Sequence, residues 1–531
     1  MIRIGEIRVP EGADTGHIKA KAAHMLRLKS DDIKEMRILK QSKDARRKNN
    51  ILEVYTVAVG VEGEKGILKR CSGKNISRFE EEIYRFPRHG IEKSIYRPVI
   101  AGFGPAGIFA SLILAHEGYR PVVFERGKNI EDRKRDVEHF FDTGVLDPAS
   151  NVQFGEGGAG TFSDGKLSTG IKDREGRKKF VLDTFVRHGA DRSILSDSHP
   201  HIGTDRLMKM IPSIRREIEE LGGEIRFSHT VKDIKISDGA ISGIRIAGEN
   251  DEVTECDSLF LCIGHSARDT FGMLKDLGAE MEAKSFAVGL RAEHTRRMID
   301  EALKRDKADY KLTYHCRDGR GVYSFCMCPG GYVVNSSSEE GYLTVNGMSF
   351  SGRDGVNSNA AIVCTVSPDD FRDFGDDALS GMRFQRELEK KAYDECSGAI
   401  PYQRYADFKA GIKSSAFGYI KPCARGRSGM GNIRNILPPY ITDDIIEAMQ
   451  EFGKRIEGYD SDDVLIAGAE VRTSSPVRIL RGDNMQSVNI RGLYPVGEGA
   501  GYAGGIMSAA IDGMKAAESY IRVKESIQGK R

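Results

Sequence analysis

The chain contains no tryptophan, and aromatic residues make up only 8% of its 531 positions. Nothing in the sequence gives a physical reason for the missing tryptophan. Excess charge of either sign is missing too. Eighty Lys and Arg face 78 Asp and Glu, a formal net charge of +2, so no global field recruits nucleic acid or an anionic membrane. No apolar run approaches the ~18 residues that a transmembrane helix needs. The opening residues Met1, Ile2, Arg3, Ile4, Gly5 and Glu6 lack the apolar core of a signal peptide. The nine cysteines are scattered, odd in number and without a Cys-x-x-Cys pair, which argues against a disulfide framework and against a zinc motif. These absences predict a cytoplasmic protein with reduced thiols, no membrane partner and no metal.

What the chain has in plenty is glycine, 60 residues against a usual share of roughly 7%. The stretch around which the rest is organised is Gly-Phe-Gly-Pro-Ala-Gly at 102–107, preceded by the apolar Val99, Ile100 and Ala101. Residues 99–101 read as a buried parallel strand and those from Pro105 to about 117 as a helix. Gly102 permits the turn, Gly104 leaves room for a pyrophosphate, and Gly107 lets helix and strand pack closely. The helix start, with Pro105 and Ala106, presents free N–H groups to phosphate oxygens. Gly118 ends the helix, and residues 120–124 form the next strand. Glu125 at its tip, followed by Arg126, is placed to take the hydroxyls of an adenosine ribose. An acid there disfavours a 2′-phosphorylated nucleotide and leaves FAD or NAD.

About three domains fit this length. Residues 1–90 read as a small α/β domain, of split βαβ type, with a strand near Ile2, Ile4 and Ile7, a helix over 18–28 and a strand over 51–61. Its basic stretch, residues 37–48, reads as a solvated strand and turn or as a contact for RNA, phosphate or a partner. It lacks the interleaved aromatics on which bases stack. Residues 91–283 form the first part of the dinucleotide-binding domain. Within it, residues 150–167 hold Gly155, Gly157, Gly158 and Gly160 between Phe154 and Phe162, with Thr161, Ser163, Asp164 and Lys166 as polar groups. This reads as cofactor or substrate contact, with a mobile linker as the alternative. An amphipathic helix carries Leu207, Met210, Ile211, Ile214, Ile218 and Leu221, with a kink or late start expected at Pro212. A hairpin turning at Asp238 and Gly239 follows, then a buried strand over 256–262 that returns the chain to the sheet, where Gly264 again approaches the dinucleotide.

Residues 284–465 read as an inserted mixed domain. Cys326 and Cys328 sit two apart on an expected strand, so their thiols should share one face. Helices are expected near 379–396 and 443–457, with a glycine- and arginine-rich loop over 421–431. Residues 466–531 close the nucleotide domain. A short strand over 493–496 leads into Gly497, Glu498, Gly504, Gly505 and Ile506. Glu498 is placed for a ribityl hydroxyl, and the helix starting near Gly505 aims its N–H groups at the pyrophosphate or pyrimidine edge. NAD enzymes have no use for so distant a second strand-acid-helix element, whereas FAD, being longer, does. This motif decides for FAD.

On the motifs at 101–107, 151–167, 323–331, 473–478 and 497–505 the sequence resembles the family of uncharacterised FAD-dependent dehydrogenases, within the glutathione reductase-like flavoproteins. The resemblance spans essentially the whole chain and implies FAD binding and redox chemistry with no agreed substrate. Where the broad class often has Asp, this chain has Glu498. A second Gly-x-Gly-x-x-Gly set in a full strand-turn-helix-strand unit and a Cys-x-x-x-x-Cys pair are both missing, which argues against disulfide reductase chemistry and leaves NAD(P)H as a transient donor at most. The layout is more like that of hydroxylase, saturase or amine-oxidase relatives, in which hydride passes directly between a small substrate and flavin N5. His265 as an acid or base, Arg478 as a carboxylate or oxyanion clamp, and Cys326 and Cys328 are the catalytic candidates. A non-catalytic flavin sensor and a flavin-dependent RNA-modifying enzyme are the alternatives. The chain leaves its oligomeric state open.

Overall fold

A computed structural model of the chain describes residues 1–44, 52–87 and 95–528. The last four residues of the basic stretch, 45–48, lie outside these. The chain forms two compact units. The smaller comprises Met1–Arg85, Lys166–Ile202 and Leu303–Asp306, and the larger the remainder.

In the smaller unit Ile2–Pro10 and Ile33–Asp44 both run antiparallel to Leu52–Val61 between them, with Ile76–Arg78 on the outer side of the first. The helix Thr15–Met25 joins the first two strands, so the arrangement is the expected split βαβ. Asp14 caps that helix by accepting a hydrogen bond from His17 N at 2.9 Å. Ile18, Ala22, Ala23 and Leu26 then bury against Ile2, Ile4, Ile7 and Val9. Segment 166–202, expected in the nucleotide domain, belongs to this unit instead. Gln41 N donates to Ser196 O at 2.7 Å and Ser198 N to Gln41 O at 3.0 Å. Tyr84 packs on Phe180 with ring centroids 4.9 Å apart.

At the centre of the larger unit is a parallel sheet with strands in the order Leu493–Pro495, Leu259–Leu261, Val99–Ala101, Val122–Glu125 and Glu224–Phe227. Helix Pro105–His116 follows the central strand and is buried from Ala106 to Ala115, as a helix enclosed between layers must be. Strand connections reverse direction at Val99–Ala101, so the crevice for a nucleotide opens at the carboxyl ends there. Helix Thr204–Glu220 starts well before Pro212 and includes it, which rules out the late start, one of the two outcomes expected there. Burial of Leu207, Met210, Ile211, Ile214 and Ile218 outweighs the one backbone hydrogen bond that proline removes. The hairpin Thr230–Ser237 with Ala240–Ala247 turns as expected at Asp238 and Gly239, both at positive φ.

The inserted region builds a sheet of seven strands, in the order Thr313–His315, Gly321–Cys328, Asn357–Val366, Phe286–Thr295, Leu465–Glu470, Ile400–Arg404 and Ser428–Met430. Leu465–Glu470 pairs inside it, so the insert extends past the expected boundary at 465. Helix Ser380–Glu395 falls where expected, the second helix runs Pro439–Gly453, and the 421–431 loop contains the short strands Ala424–Arg425 and Ser428–Met430. The fold is therefore an α/β, Rossmann-like FAD-binding fold with an inserted mixed domain.

Candidate functional site

The turn at 102–107 is held from three sides. Gly102 has φ of 99°, and a Cβ there would lie 2.4 Å from Cys262 O. A Cβ on Gly107 would lie 2.0 Å from Gly102 O. The carboxylate of Glu125, at the tip of the next strand, accepts from Phe103 N at 2.7 Å, Gly127 N at 2.9 Å and Gly155 N at 2.9 Å. The carboxylate thus has a structural role; among the described residues Oε2 accepts the Phe103 bond and keeps acceptor capacity for the expected ribose contact.

Gly155 ties the second glycine-rich stretch to the first. Far from being a mobile linker, residues 151–157 are buried. Arg133 organises them. It is fully buried, donating from Nε to Asn151 O at 2.9 Å, from Nη1 to Glu156 O at 2.7 Å and from Nη2 to Val152 O at 3.0 Å. Burial lowers its pKa to about 10. A Cβ on Gly158 would lie 3.0 Å from Gly104 Cα. One on Gly160 would lie 3.1 Å from Ile506 Cγ1 and 3.9 Å from Pro105 Cγ. The starts of the two helices Pro105–His116 and Ile506–Gln528 therefore flank one residue of this loop. Thr161, expected at the cofactor, is fully buried, and its hydroxyl donates to Glu156 O at 3.3 Å; it serves the loop. Gly157 likewise has a packing role, since a Cβ would lie 2.2 Å from Thr161 Oγ1. Arg126 lies over the Phe154 ring at 4.5 Å and donates to Asp269 at 2.8 Å.

The closing element packs on the first. Gly497, at φ of 79°, would set a Cβ 2.9 Å from Ala106 Cβ, and Gly513 one 2.1 Å from Ala106 O. His265 Nδ1 donates to Glu498 Oε1 at 2.9 Å, while His265 Nε2 is enclosed without a partner. His265 thus stands against Glu498 in the closing element rather than as an unengaged imidazole. Arg478 pairs with Glu282 at 3.1 Å and lies over the Tyr502 ring at 5.5 Å. Nearby, burial and the charge of Arg478 lower the pKa of Lys284.

Cys326 and Cys328 occupy a different cluster. The strand bulges between Phe325 and Cys328, with Cys326 at φ of 43°, so the two thiols do not alternate to one face as expected. Cys328 is buried, and Cys326 O accepts from Arg291 Nη1 at 3.2 Å. Arg291 also holds Glu470 at 2.6 Å and Asn359 at 2.6 Å. The four catalytic candidates thus divide in two: His265 and Arg478 at the closing element, and the cysteines around Arg291.

The sequence reading missed a buried polar network behind the 264–268 loop. Glu389 accepts from Arg472 Nε and Nη2, each at 2.7 Å, and from Arg268 Nη2 at 2.7 Å and Nη1 at 2.8 Å. Arg472 Nη1 donates to Ser266 Oγ at 3.0 Å and Ser338 Oγ at 2.6 Å, and Ser266 donates to Gln153 Oε1 at 3.0 Å. Gln153 stands within the motif at 151–167 and Arg472 beside that at 473–478, but nothing in an amphipathic helix singles out Glu389.

Two glycines test whether this site fits FAD. Gly104 has an extended backbone that any residue adopts (φ −81°, ψ −173°), and its Cβ would meet only Gly158 Cα at 3.7 Å. Gly504 shows no positive φ, and a Cβ there meets nothing within 4 Å. Neither packing nor backbone requires glycine at either position, so both leave open space beside the two helix starts, which is compatible with a bound FAD. The two helix starts and the acids Glu125 and Glu498 match the phosphates and hydroxyls of a dinucleotide.

Residues 285–473 match the family model described as FAD-dependent protein, C-terminal domain-like, and residues 1–60 match a domain of unknown function. An uncharacterized protein of Clostridium beijerinckii is 44% identical over 531 residues, covering 98% of both chains. The chain belongs to the family of that clostridial protein. Residues 285–473 thus match a domain type described for FAD-dependent proteins, in a chain with an α/β, Rossmann-like FAD-binding fold. Solved structures that align include flavin-dependent brominase Bmp2, at 12% identity over 82% of this chain and 80% of that one, TM-score 0.37. Another is a geranylgeranyl bacteriochlorophyll reductase-like protein of Thermoplasma acidophilum, at 12% identity, 82% and 79% coverage and TM-score 0.35. Likeness at that level says nothing of chemistry. No helix among the described residues is long and apolar enough to cross a membrane.

Proposed function

We propose that this protein binds FAD and acts as a dehydrogenase or reductase on a small organic substrate. The observation that carries the reading is that the starts of helices Pro105–His116 and Ile506–Gln528 flank one residue of the same glycine-rich loop, with open space at Gly104 and Gly504 beside them. Bound there, FAD supplies hydride acceptance and donation at flavin N5. The chain's own groups bind and orient. Gly104, Pro105, Ala106 and Gly107 present the first helix start to the pyrophosphate, and Glu125 Oε2 accepts from the adenosine ribose. Glu498, steadied by His265, accepts from a ribityl hydroxyl. Gly264, Gly504, Gly505 and Ile506 line the ring end of the site with backbone. Arg478, beside Lys284, offers positive charge to a carboxylate or oxyanion, and the Glu389 network fixes Ser266 and Gln153 against the insert. With no second parallel dinucleotide-type sheet among the described residues, NAD(P)H acts as a transient donor at most.

Two measurements test this. Acid precipitation of the purified protein, with chromatography of the supernatant, is expected to release FAD at about one equivalent per chain; FMN, NAD or a colourless protein overturns the cofactor. Anaerobic stopped-flow recording of the flavin band, with NADH, NADPH and a panel of enoyl, amine, hydroxy-acid and thiol compounds, is expected to show saturable reduction or reoxidation by one of them. Reduction by dithionite alone overturns the enzyme reading.

A further inference from the structure

The inserted domain holds a second group of chemistry-bearing side chains, away from the glycine-rich motifs. Cys316 follows strand Thr313–His315, and Asp444 and Glu447 stand three apart on helix Pro439–Gly453, hence on one helical face. One ligand atom from each lies within 4.8 Å of the other two. Cys316 and Asp444 are buried, at 5% and 6% exposure.

Asp444 is the anomaly. A buried carboxylate needs a cation or several strong donors. Among the described residues, its side chain forms no ion pair, and the hydrogen bonds it receives, from Cys364 Sγ to Oδ2 at 3.5 Å and from the Cys316 side chain, come from thiols, weak donors. Cys316 Sγ donates to the Asp444 backbone carbonyl, also at 3.5 Å. The nearby Arg320 is committed elsewhere, to Asp370 at 2.5 Å, Asp318 at 3.1 Å and Thr365 O at 3.5 Å. Glu447 Oε1 accepts from Tyr314 OH at 2.9 Å and lies 3.7 Å from Nε of the exposed Arg317, and its side chain, 23% exposed, reaches solvent. A buried anion is thus left facing a thiol and a second carboxylate, with a route to water along Glu447.

We propose that Cys316, Asp444 and Glu447 form a binding site for a divalent cation of the zinc type. One thiolate and two carboxylates suit a borderline-soft, tetrahedral ion, and water takes the fourth position. Cys364 and Tyr314 hold the two carboxylates from behind, as outer partners of metal ligands do. On binding, the ion displaces the proton of the Cys316 thiol to solvent, and the Cys316 sulfur donates its electron pair to the metal. No oxidation is involved. Occupied, the site joins helix Pro439–Gly453 to the edge of the seven-stranded sheet.

The test uses the full-length flavin-loaded protein. After incubation with zinc and desalting, elemental analysis is expected to find about one zinc per chain. Cobalt(II) in its place is expected to give a sulfur-to-cobalt charge-transfer band. Cys316→Ser should abolish that band. Glu447→Gln, at a partly exposed position, should weaken zinc at least ~10-fold in chelator competition without loss of flavin, so a folding failure of the buried variant does not decide the matter. Cys71→Ser, in the other unit, should change neither. Absence of stoichiometric zinc together with absence of the cobalt band in the wild-type protein overturns the site. A band that survives Cys316→Ser assigns the sulfur elsewhere and overturns it as well.

Discussion

Glycine does two different things in this molecule, and substitution separates them. At Gly513 a single methyl would lie 2.1 Å from the Ala106 carbonyl oxygen, whereas at Gly104 it would meet only one carbon at 3.7 Å. Gly513→Ala is therefore expected to lower stability by roughly 1–3 kcal/mol through overpacking, read in denaturant unfolding. Gly104→Ala should leave apoprotein stability unchanged and weaken FAD at least about tenfold, read as lost flavin absorbance after gel filtration; Gly104→Val should abolish it. A loss of apoprotein stability in Gly104→Ala would show the glycine to be structural and remove one support for the cofactor site. Glu125 combines both kinds of role. Glu125→Ala strands three backbone donors that are now paired, each costing about 1–3 kcal/mol when left unpaired in the interior. Its apoprotein should unfold earlier as well as hold FAD less tightly. Equal stability of the two apoproteins would show that water readily replaces the carboxylate.

At the scale of elements, helix Ser380–Glu395 is tied to the 264–268 loop and to Arg472 through one carboxylate. Burial by itself would raise the pKa of Glu389, but the guanidiniums of Arg268 and Arg472 outweigh it and hold it at about 2, below its ordinary 4.5. A depressed carboxylate contributes stability that is present in full above pH 4.5 and is lost as pH falls toward 2. Acid unfolding of the wild type should therefore show a limb in that interval that Glu389→Gln flattens. At neutral pH the substitution should cost about 3–5 kcal/mol, because the buried Arg472 guanidinium loses its counter-ion and Arg268 is left with Glu339 alone. A variant as stable as wild type at pH 7, with an unchanged acid limb, would contradict this. The same helix shows where sequence reading stops. Strand-turn-helix units at 99–116 and 493–528 were legible because glycine φ, apolar runs and helix starts are local properties. Glu389 and Arg133 were not, because a charged residue on an amphipathic helix has the same local pattern whether it faces water or a buried partner. The bulge at Cys326 was equally hidden, since it follows from pairing with Asn357–Val366 rather than from the residues themselves.

The whole molecule carries its least legible feature in the distribution of the chain between its two units. Composition and spacing suggest that residues 1–90 form a detachable domain, but the small unit also takes in Lys166–Ile202. Within it the backbone of Gln41 pairs with Ser196 and Ser198, and Phe180 rests on Tyr84. A Cβ on Gly176 would lie 2.6 Å from Tyr84 N, so the turn before helix Arg177–Arg187 is fitted to that backbone. A chain beginning at Phe86 would keep the five-stranded sheet and both glycine-rich elements but would leave 166–202 without these partners. It is expected to retain FAD and to become cleavable by trypsin at Lys172, Arg174, Lys178 or Lys179, which lie in or beside the orphaned helix, under conditions in which the full chain resists there. Mass spectrometry of the first fragments reads the outcome directly. If 166–202 stays as resistant in the shortened chain as in the full one, its fold does not depend on the N-terminal sheet. If instead flavin is lost on truncation while the glycine-rich elements stay protected, the small unit supports cofactor binding.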